Sequence, residues 1–474
     1  EIHWRDWSSD VCSSDLAYSP ASSAYLALLN QAWQSRGGHT RPIAPAGEPI
    51  VLSPIVIAMW RPMAEALGWP RRPLGWADLL AVSRDPAGWG AHGHPEWGGM
   101  KLGHTHPEYA SSGLLSALAI AYAGARTPRG LSADALPRVE PFMAAIEDAI
   151  VHYGKSTGLF ADKLIERGPS YLSAAVLYEN LVIESYARPR ALDLVALYPV
   201  EGTFWADHPF SVLDAPWVGA AEREAAAAVL AFVKARPAQD RALALGFRPV
   251  DPAIAITAPI DAAHGVDARQ PQTLLPVPDA PTLDALLATW RRTKKPAELV
   301  LVLDKSGSMA GRPLAEAQRG AQAFLATLEP RDRVTLLVFD HRVYPAYGPV
   351  ELGAARADLD GRIAGISASG GTALYDAVIA AHDLLAARRT ATAHRIRAVV
   401  VMTDGADTHS RTSLAAALRR LHGEDDGVAI YTLGYGAEPN ADALTALARA
   451  GAGTFSRGDV DTIVQTFRDL GAFF

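Results

Sequence analysis

Residues 299–309 read Leu299-Val-Leu-Val-Leu-Asp304-Lys-Ser306-Gly-Ser308-Met309. Five apolar residues in a row, with no polar alternation, are what a strand buried on both faces needs. Three more runs of this kind follow at 334–339, 398–402 and 428–433. Helical patterns lie between and after them, at 314–328, 373–387, 413–421, 441–450 and 460–470. Residues 343–347 suit a short antiparallel edge strand. Strand–helix alternation predicts a doubly wound, mostly parallel α/β sheet over 297–474.

Ligands of such a sheet bind at the carboxyl ends of its strands, beside the switch point. The first strand ends there in Asp304, followed by hydroxyls at Ser306 and Ser308. That alternation places three oxygens on one face of the turn. Two further loops add oxygens to the same edge: Ser369-Gly370-Gly371-Thr372 before a helix, and Thr403-Asp404-Gly405 after a strand. Glycine permits the close backbone turns that bring such loops together. A set made only of oxygen donors suits a hard divalent cation that keeps part of its water. Asp340 and His341, at another strand end, read as a solvated turn, and Asp407 and His409 as a surface loop.

Asp304-x-Ser306-x-Ser308, Thr372 and Asp404 resemble, in order, the metal-ion-dependent adhesion site of von Willebrand factor type A domains. The resemblance implies that the Ser306, Ser308 and Thr372 hydroxyls touch a Mg²⁺ ion (or Mn²⁺ or Ca²⁺). It implies that Asp304 and Asp404 orient the ion's waters, and that one position stays open for an acidic group of a protein partner. Lys305 falls at a variable position of that motif.

At 474 residues the chain calls for two or three domains at about 150 residues each. It is 49% hydrophobic and 20% charged, with a net charge of -7, which offers no field for nucleic acid or anionic lipid. No apolar run is long enough to predict a transmembrane helix. The one cysteine, Cys12, excludes an intramolecular disulfide. It lies in Asp6-Trp-Ser-Ser-Asp-Val-Cys-Ser-Ser-Asp-Leu16, which reads as the translation of a sequencing-library adapter, so 1–16 are left out of fold reasoning. The expectation is then a lost natural N-terminus, and a signal peptide lost with it.

A Pro-rich stretch with prolines at 271, 276, 278 and 281 separates the halves. With a short amphipathic helix at 283–292, it makes 267–296 the expected linker. Eight of the eleven tryptophans lie from Trp33 to Trp217, so the N-terminal half has a core of its own. There an apolar β-type run at 49–60 leads into a helix at 62–67. Further helices are predicted at 112–125, 139–152, 172–186 and 220–235, and strands at 192–198 and 210–213.

Several segments here resemble bacterial extracellular solute-binding proteins of the two-lobed, periplasmic-binding-protein kind, over 17–266. They are Tyr18-Ser-Pro-Ala-Ser-Ser-Ala-Tyr25, Ser53-Pro-Ile-Val-Ile-Ala-Met-Trp60, His104-Thr-His-Pro-Glu-Tyr-Ala-Ser111-Ser112-Gly113 and Gly246-Phe-Arg-Pro249. The resemblance implies a two-lobed α/β domain lacking its first elements. Its first-lobe sheet would be short of a strand, with apolar surface exposed beside 49–60. A Ser-Ser-Gly at a helix start offers hydroxyls and free N–H groups to an anionic or polyhydroxyl solute, although it also serves as a plain N-cap. Candidate solute residues are Ser53, His104, Thr105, Ser111, Ser112, Gly113 and Tyr178. Tyr178 is placed in a helix with Glu179 and Asn180, the alternative being a core tyrosine beside a solvated glutamate. His104 and His106 lack a third ligand for a metal clip.

No Ser/His/Asp or Cys/His set reads as a nucleophilic triad, and no Gly-Lys loop cradles phosphate. The expectation is a non-enzymatic, extracytoplasmic bacterial protein (periplasmic, secreted or lipid-anchored) coupling a solute-binding module to a metal-dependent adhesion module. The alternative is an intracellular assembly factor that partners an ATPase in a metal-insertion machine.

Overall fold

A computed structural model describes residues 15–474 except 38, 191, 393, 423–426, 436–439 and 460. Residues 1–14 of the adapter-like segment, Cys12 among them, therefore lie outside the described residues. The chain divides after Lys294 into two compact units.

The N-terminal unit holds two sheets. The smaller is antiparallel, in the order β1 (Ala17–Tyr18), β9 (Pro209–Val212), β2 (Glu48–Pro49). The larger runs β5 (Ile150–Gly154), β4 (Leu102–Thr105), β6 (Ala174–Tyr178), β3 (Ser53–Trp60), β7 (Leu194–Leu197), with β8 (Trp205–Ala206) also on β3. β4 pairs parallel with β5 and β6, and β3 antiparallel with β6 and β7. The helix expected at 172–186 is thus strand β6 followed by a helix, Glu179–Ser185. Ala174-Ala-Val-Leu is a good helix former alone, but it lies between β4 and β3, where every residue is buried. Sheet context overrides a weak local preference. The pattern at 139–152 likewise divides into the helix Leu136–Glu147 and β5. All eight residues of β3 are buried, whereas Pro49 is exposed and Ile50, Val51 and Leu52 are partly so. Val229 and Phe232 are exposed on the helix Ala220–Lys234, whose Lys234 pairs with Glu48.

The Pro-rich stretch is no free tether. Leu275 N–H bonds the Thr203 carbonyl at 2.8 Å, and Tyr122 Oη donates to the Pro276 carbonyl at 2.7 Å. The helix Ala280–Thr293 buries Leu283, Leu286, Leu287 and Trp290. Trp290 Nε1 reaches Glu147 Oε1 at 3.1 Å, inside the N-terminal unit. An amphipathic helix must bury its apolar stripe somewhere, and this one does so on the domain before it.

The C-terminal unit is one mixed α/β sheet of six strands. Its order is β12 (Tyr347–Glu351), β11 (Arg333–Phe339), β10 (Ala297–Asp304), β13 (Ile396–Thr403), β14 (Val428–Tyr435), β15 (Phe455–Gly458). All neighbours are parallel except β12. The edge strand falls at 347–351, with Val343 adding an isolated antiparallel bridge to Phe339; it carries Pro349 and shifts register against β11. Val300, Val302, Val399 and Val401 pack with Leu374 and Val378 of the helix Leu374–Ala386 in the main core. No described helix of the chain is long and apolar enough to cross a membrane.

Candidate metal centre

Strands β10 and β13 are neighbours in parallel register, so both deliver their last residues to one edge. Asp304 is fully buried there. Its Oδ1 accepts the Ser306 N–H at 2.7 Å, which folds the chain back, and its Oδ2 accepts the Thr403 hydroxyl at 2.5 Å. Ser308 Oγ donates to Asp404 Oδ1 at 2.8 Å and lies 3.1 Å from Ser306 Oγ. Thr372 arrives on the third loop. Gly307 N–H bonds the Gly370 carbonyl at 2.9 Å, and Ser369 N–H the Lys305 carbonyl at 2.7 Å. The Thr372 carbonyl takes the N–H groups of Thr408 and His409 at 2.8 and 2.9 Å. A methyl placed on Gly405 would stand 3.6 Å from Thr372 Oγ1, so that hydroxyl borders the Asp404 loop. The three loops bring all five expected residues together.

Charge decides what this pocket suits. Burial pushes the Asp304 carboxyl up to about 6, against hydrogen bonds from Thr403 and Ser306, and the Asp404 charge adds to the rise. Burial raises Asp404 as well, against the Ser308 hydroxyl. Lys305, next in sequence, turns away to Asp340, with Nζ 2.6 Å from Oδ2. Among the described residues, no Lys, Arg or His forms an ion pair with Asp304 or Asp404. One buried and one half-buried carboxylate with three hydroxyls, and no ion-pair partner among the described residues, fit a hard divalent cation. Among the described residues, no three His, Cys, Asp or Glu side chains cluster as a metal site, here or elsewhere, so hydroxyls make up most of this donor set.

Asp340 is not the solvated side chain expected. It is buried, and it accepts from Lys305 Nζ, Tyr344 Oη (2.7 Å), Ser369 Oγ (3.1 Å) and Arg342 N–H (3.2 Å). Burial alone would raise it, but Lys305, Tyr344, Arg342 and Ser369 hold it well below the usual carboxylate range.

In the N-terminal unit the solute candidates separate. Thr105 Oγ1 and Ser112 Oγ lie 2.6 Å apart, and Ser112 Oγ and Thr157 Oγ1 2.7 Å. The Tyr178 phenol joins them; burial pushes it up to about 12, against hydrogen bonds from Thr157, Ser112 and Ser111. Thr157 escaped sequence reasoning, although Ser156-Thr157-Gly158 repeats at another helix start the signature of Ser111-Ser112-Gly113. His104 leaves the set. Its Nε2 faces Glu147 Oε1 at 3.2 Å and its Nδ1 the Thr105 carbonyl at 2.7 Å. Ser53 is buried with its hydroxyl on Asn180 Oδ1 at 3.1 Å. Gly113 is there for packing, because a methyl on it would stand 2.2 Å from the Thr105 carbonyl oxygen. Glu179 is buried rather than solvated, paired with Arg248 at 2.7 Å.

Residues 299–406 match the von Willebrand factor type A domain model, and residues 15–248 that of bacterial extracellular solute-binding proteins. The chain joins a solute-binding domain to a type A domain. An uncharacterised protein of Synechocystis sp. is 32% identical over 178 residues, covering 37% of this chain and 41% of the relative. Human inter-alpha-trypsin inhibitor heavy chain H4 is 28% identical over 182 residues, covering 36% of this chain and 20% of the relative. The chain thus spans less than half the length of these curated relatives. Among solved structures, manganese-loaded Plasmodium vivax TRAP protein aligns with a TM-score of 0.32 at 18% identity, covering 38% of this chain and 75% of that one.

Proposed function

We propose that the type A domain holds one divalent cation, Mg²⁺ or Mn²⁺, and uses it to dock an acidic side chain of a protein partner. Ser306, Ser308 and Thr372 supply hydroxyl ligands, and Asp304 and Asp404 accept hydrogen bonds from the ion's waters. The observation that carries this reading is the buried Asp304 and half-buried Asp404, which have no ion-pair partner among the described residues and share one sheet edge with three hydroxyls. The bound ion supplies a positive centre for a carboxylate. The chain's own residues shape the loops around it, and we read the ion as a docking site rather than a reaction centre.

The N-terminal domain takes a small anionic or polyhydroxyl solute near Thr105, Ser111, Ser112 and Tyr178, where hydroxyls and the start of the helix Ser111–Ala125 meet. The match to extracellular solute-binding proteins supports an extracytoplasmic location over the intracellular assembly-factor reading.

Thermal melting of the full chain tests the metal. Mg²⁺ at about 100 times its Kd stabilises the folded domain by about 2.7 kcal/mol. Asp304→Ala is expected to abolish the shift; a shift of wild-type size in that variant removes the assignment.

A further inference from the structure

We propose that Asp340 is a positioning residue for the metal centre, acting through Lys305 and Ser369 although it lies outside the five-residue ligand motif. The inference rests on the metal reading above and adds a residue to it.

Asp340 follows β11, next to β10 in the sheet, and its side chain reaches two of the three ligand loops at once. Lys305, between Asp304 and Ser306, places Nζ 2.6 Å from Asp340 Oδ2 and 2.7 Å from Ser369 Oγ. Ser369 Oγ in turn donates to Asp340 Oδ2 at 3.1 Å. The main chain repeats the link: the Asp340 carbonyl takes the N–H of Ala373, directly after Thr372, at 2.7 Å, and Phe339 holds Lys305 N–H at 2.9 Å. Between Ser369 and Thr372 the chain passes so close that a methyl on Gly370, at φ +72°, would meet His341 Nδ1 at 2.5 Å and Asp340 Cγ at 3.2 Å. One buried carboxylate therefore sets the spacing between the loop of Ser306 and Ser308 and the loop of Thr372.

It has a second effect. Lys305 carries a positive charge one residue from Asp304, and Asp340 neutralises it. Without Asp340 that ammonium would stand uncompensated beside the position of a cation, and like charges repel. Both effects act in one direction, as outer partners of metal ligands generally do.

Metal-free full-length protein is titrated with Mn²⁺, the free ion being read by electron paramagnetic resonance. Asp340→Asn is expected to weaken Mn²⁺ binding about 10–100-fold. Ser369→Ala, at an exposed position that leaves the core intact, is expected to weaken it by up to about 10-fold, and Ser369→Thr to restore it. Melting temperature in chelator is the control for folding. Wild-type protein that binds no Mn²⁺ defeats the metal reading itself. Wild-type binding matched by both weakened variants overturns the role of Asp340. Should Asp340→Asn fail to fold, unchanged affinity in Ser369→Ala overturns it alone.

Discussion

The two oxygen-rich regions of this chain are built from similar groups and ask for opposite ligands. At the β10 and β13 ends, three hydroxyls stand beside two carboxylates that burial raises and that, among the described residues, no side-chain cation pairs with. Around Ser112 the hydroxyls of Thr105 and Thr157 and the Tyr178 phenol bond one another without a formal charge, beside the start of a helix. On the function proposed above, the first arrangement takes a cation and the second an anion or a polyol. Hydroxyl groups are common to both, so it is the carboxylates that set the sign of the ligand.

The largest effect that would break this comparison is loss of partner binding. A protein captured by the type A domain in Mg²⁺ is expected to be released by chelator and not retained by Ser306→Ala. Capture that survives both treatments in a pull-down excludes docking through the ion.

Acid sensitivity comes next and belongs to the N-terminal unit. His152 is buried, touching Tyr171 and Phe160, and burial, with the Lys163 and Arg167 charges, lowers it to about 3. Below the unfolded value of 6.5 the unfolded chain takes up a proton that the native imidazole refuses until about pH 3. Stability is therefore complete above pH 6.5 and falls as pH drops through that window, by at most about 1.4 kcal/mol per pH unit from this group. His152→Gln is expected to flatten the dependence in denaturant melts between pH 6.5 and 4; an unchanged slope would clear His152.

Smaller still, Tyr178→Phe removes one buried hydroxyl from the Ser112 cluster. It is expected to cost about 1–2 kcal/mol while leaving the Mg²⁺ shift of the other domain at its wild-type size. Calorimetry resolves both, and a lost Mg²⁺ shift would mean the regions are not independent. The last expected effect is none: ester and phosphate substrates with Mg²⁺ should show no turnover. Hydrolysis that disappears in Thr372→Ala would turn the docking site into a reaction centre.

Legibility followed sequence distance. Four of the parallel strands of the type A domain were readable because each is a continuous apolar run, and the ligand loops because their oxygens follow those runs directly. β6 was not, since Ala174–Tyr178 has a helix former's composition and only β3 and β4 make it a strand. Asp340 looked like a solvated turn because its burial comes from Lys305 and Ser369, each about 30 residues away, and nothing local announces them. The helix Ala280–Thr293 was visible as amphipathic, but the surface it covers, around Glu147, lies 143 residues back from Trp290. Hydroxyl pairing in the solute cluster was hidden likewise, Thr157 meeting Ser112 across 45 residues.

The edge strand β12 bears on how the C-terminal sheet meets other molecules. A strand at the margin of a sheet offers a row of free backbone groups on which a foreign strand can grow, the first step toward cross-β aggregates. Here that margin is five residues long, contains Pro349 and slips register against β11. Proline has no N–H to give, and a slipped register presents no even ladder. The opposite margin, β15, is four residues long with an exposed arginine at 457. Both margins are poor templates for strand addition, so the sheet is guarded at each edge against growth into a polymer.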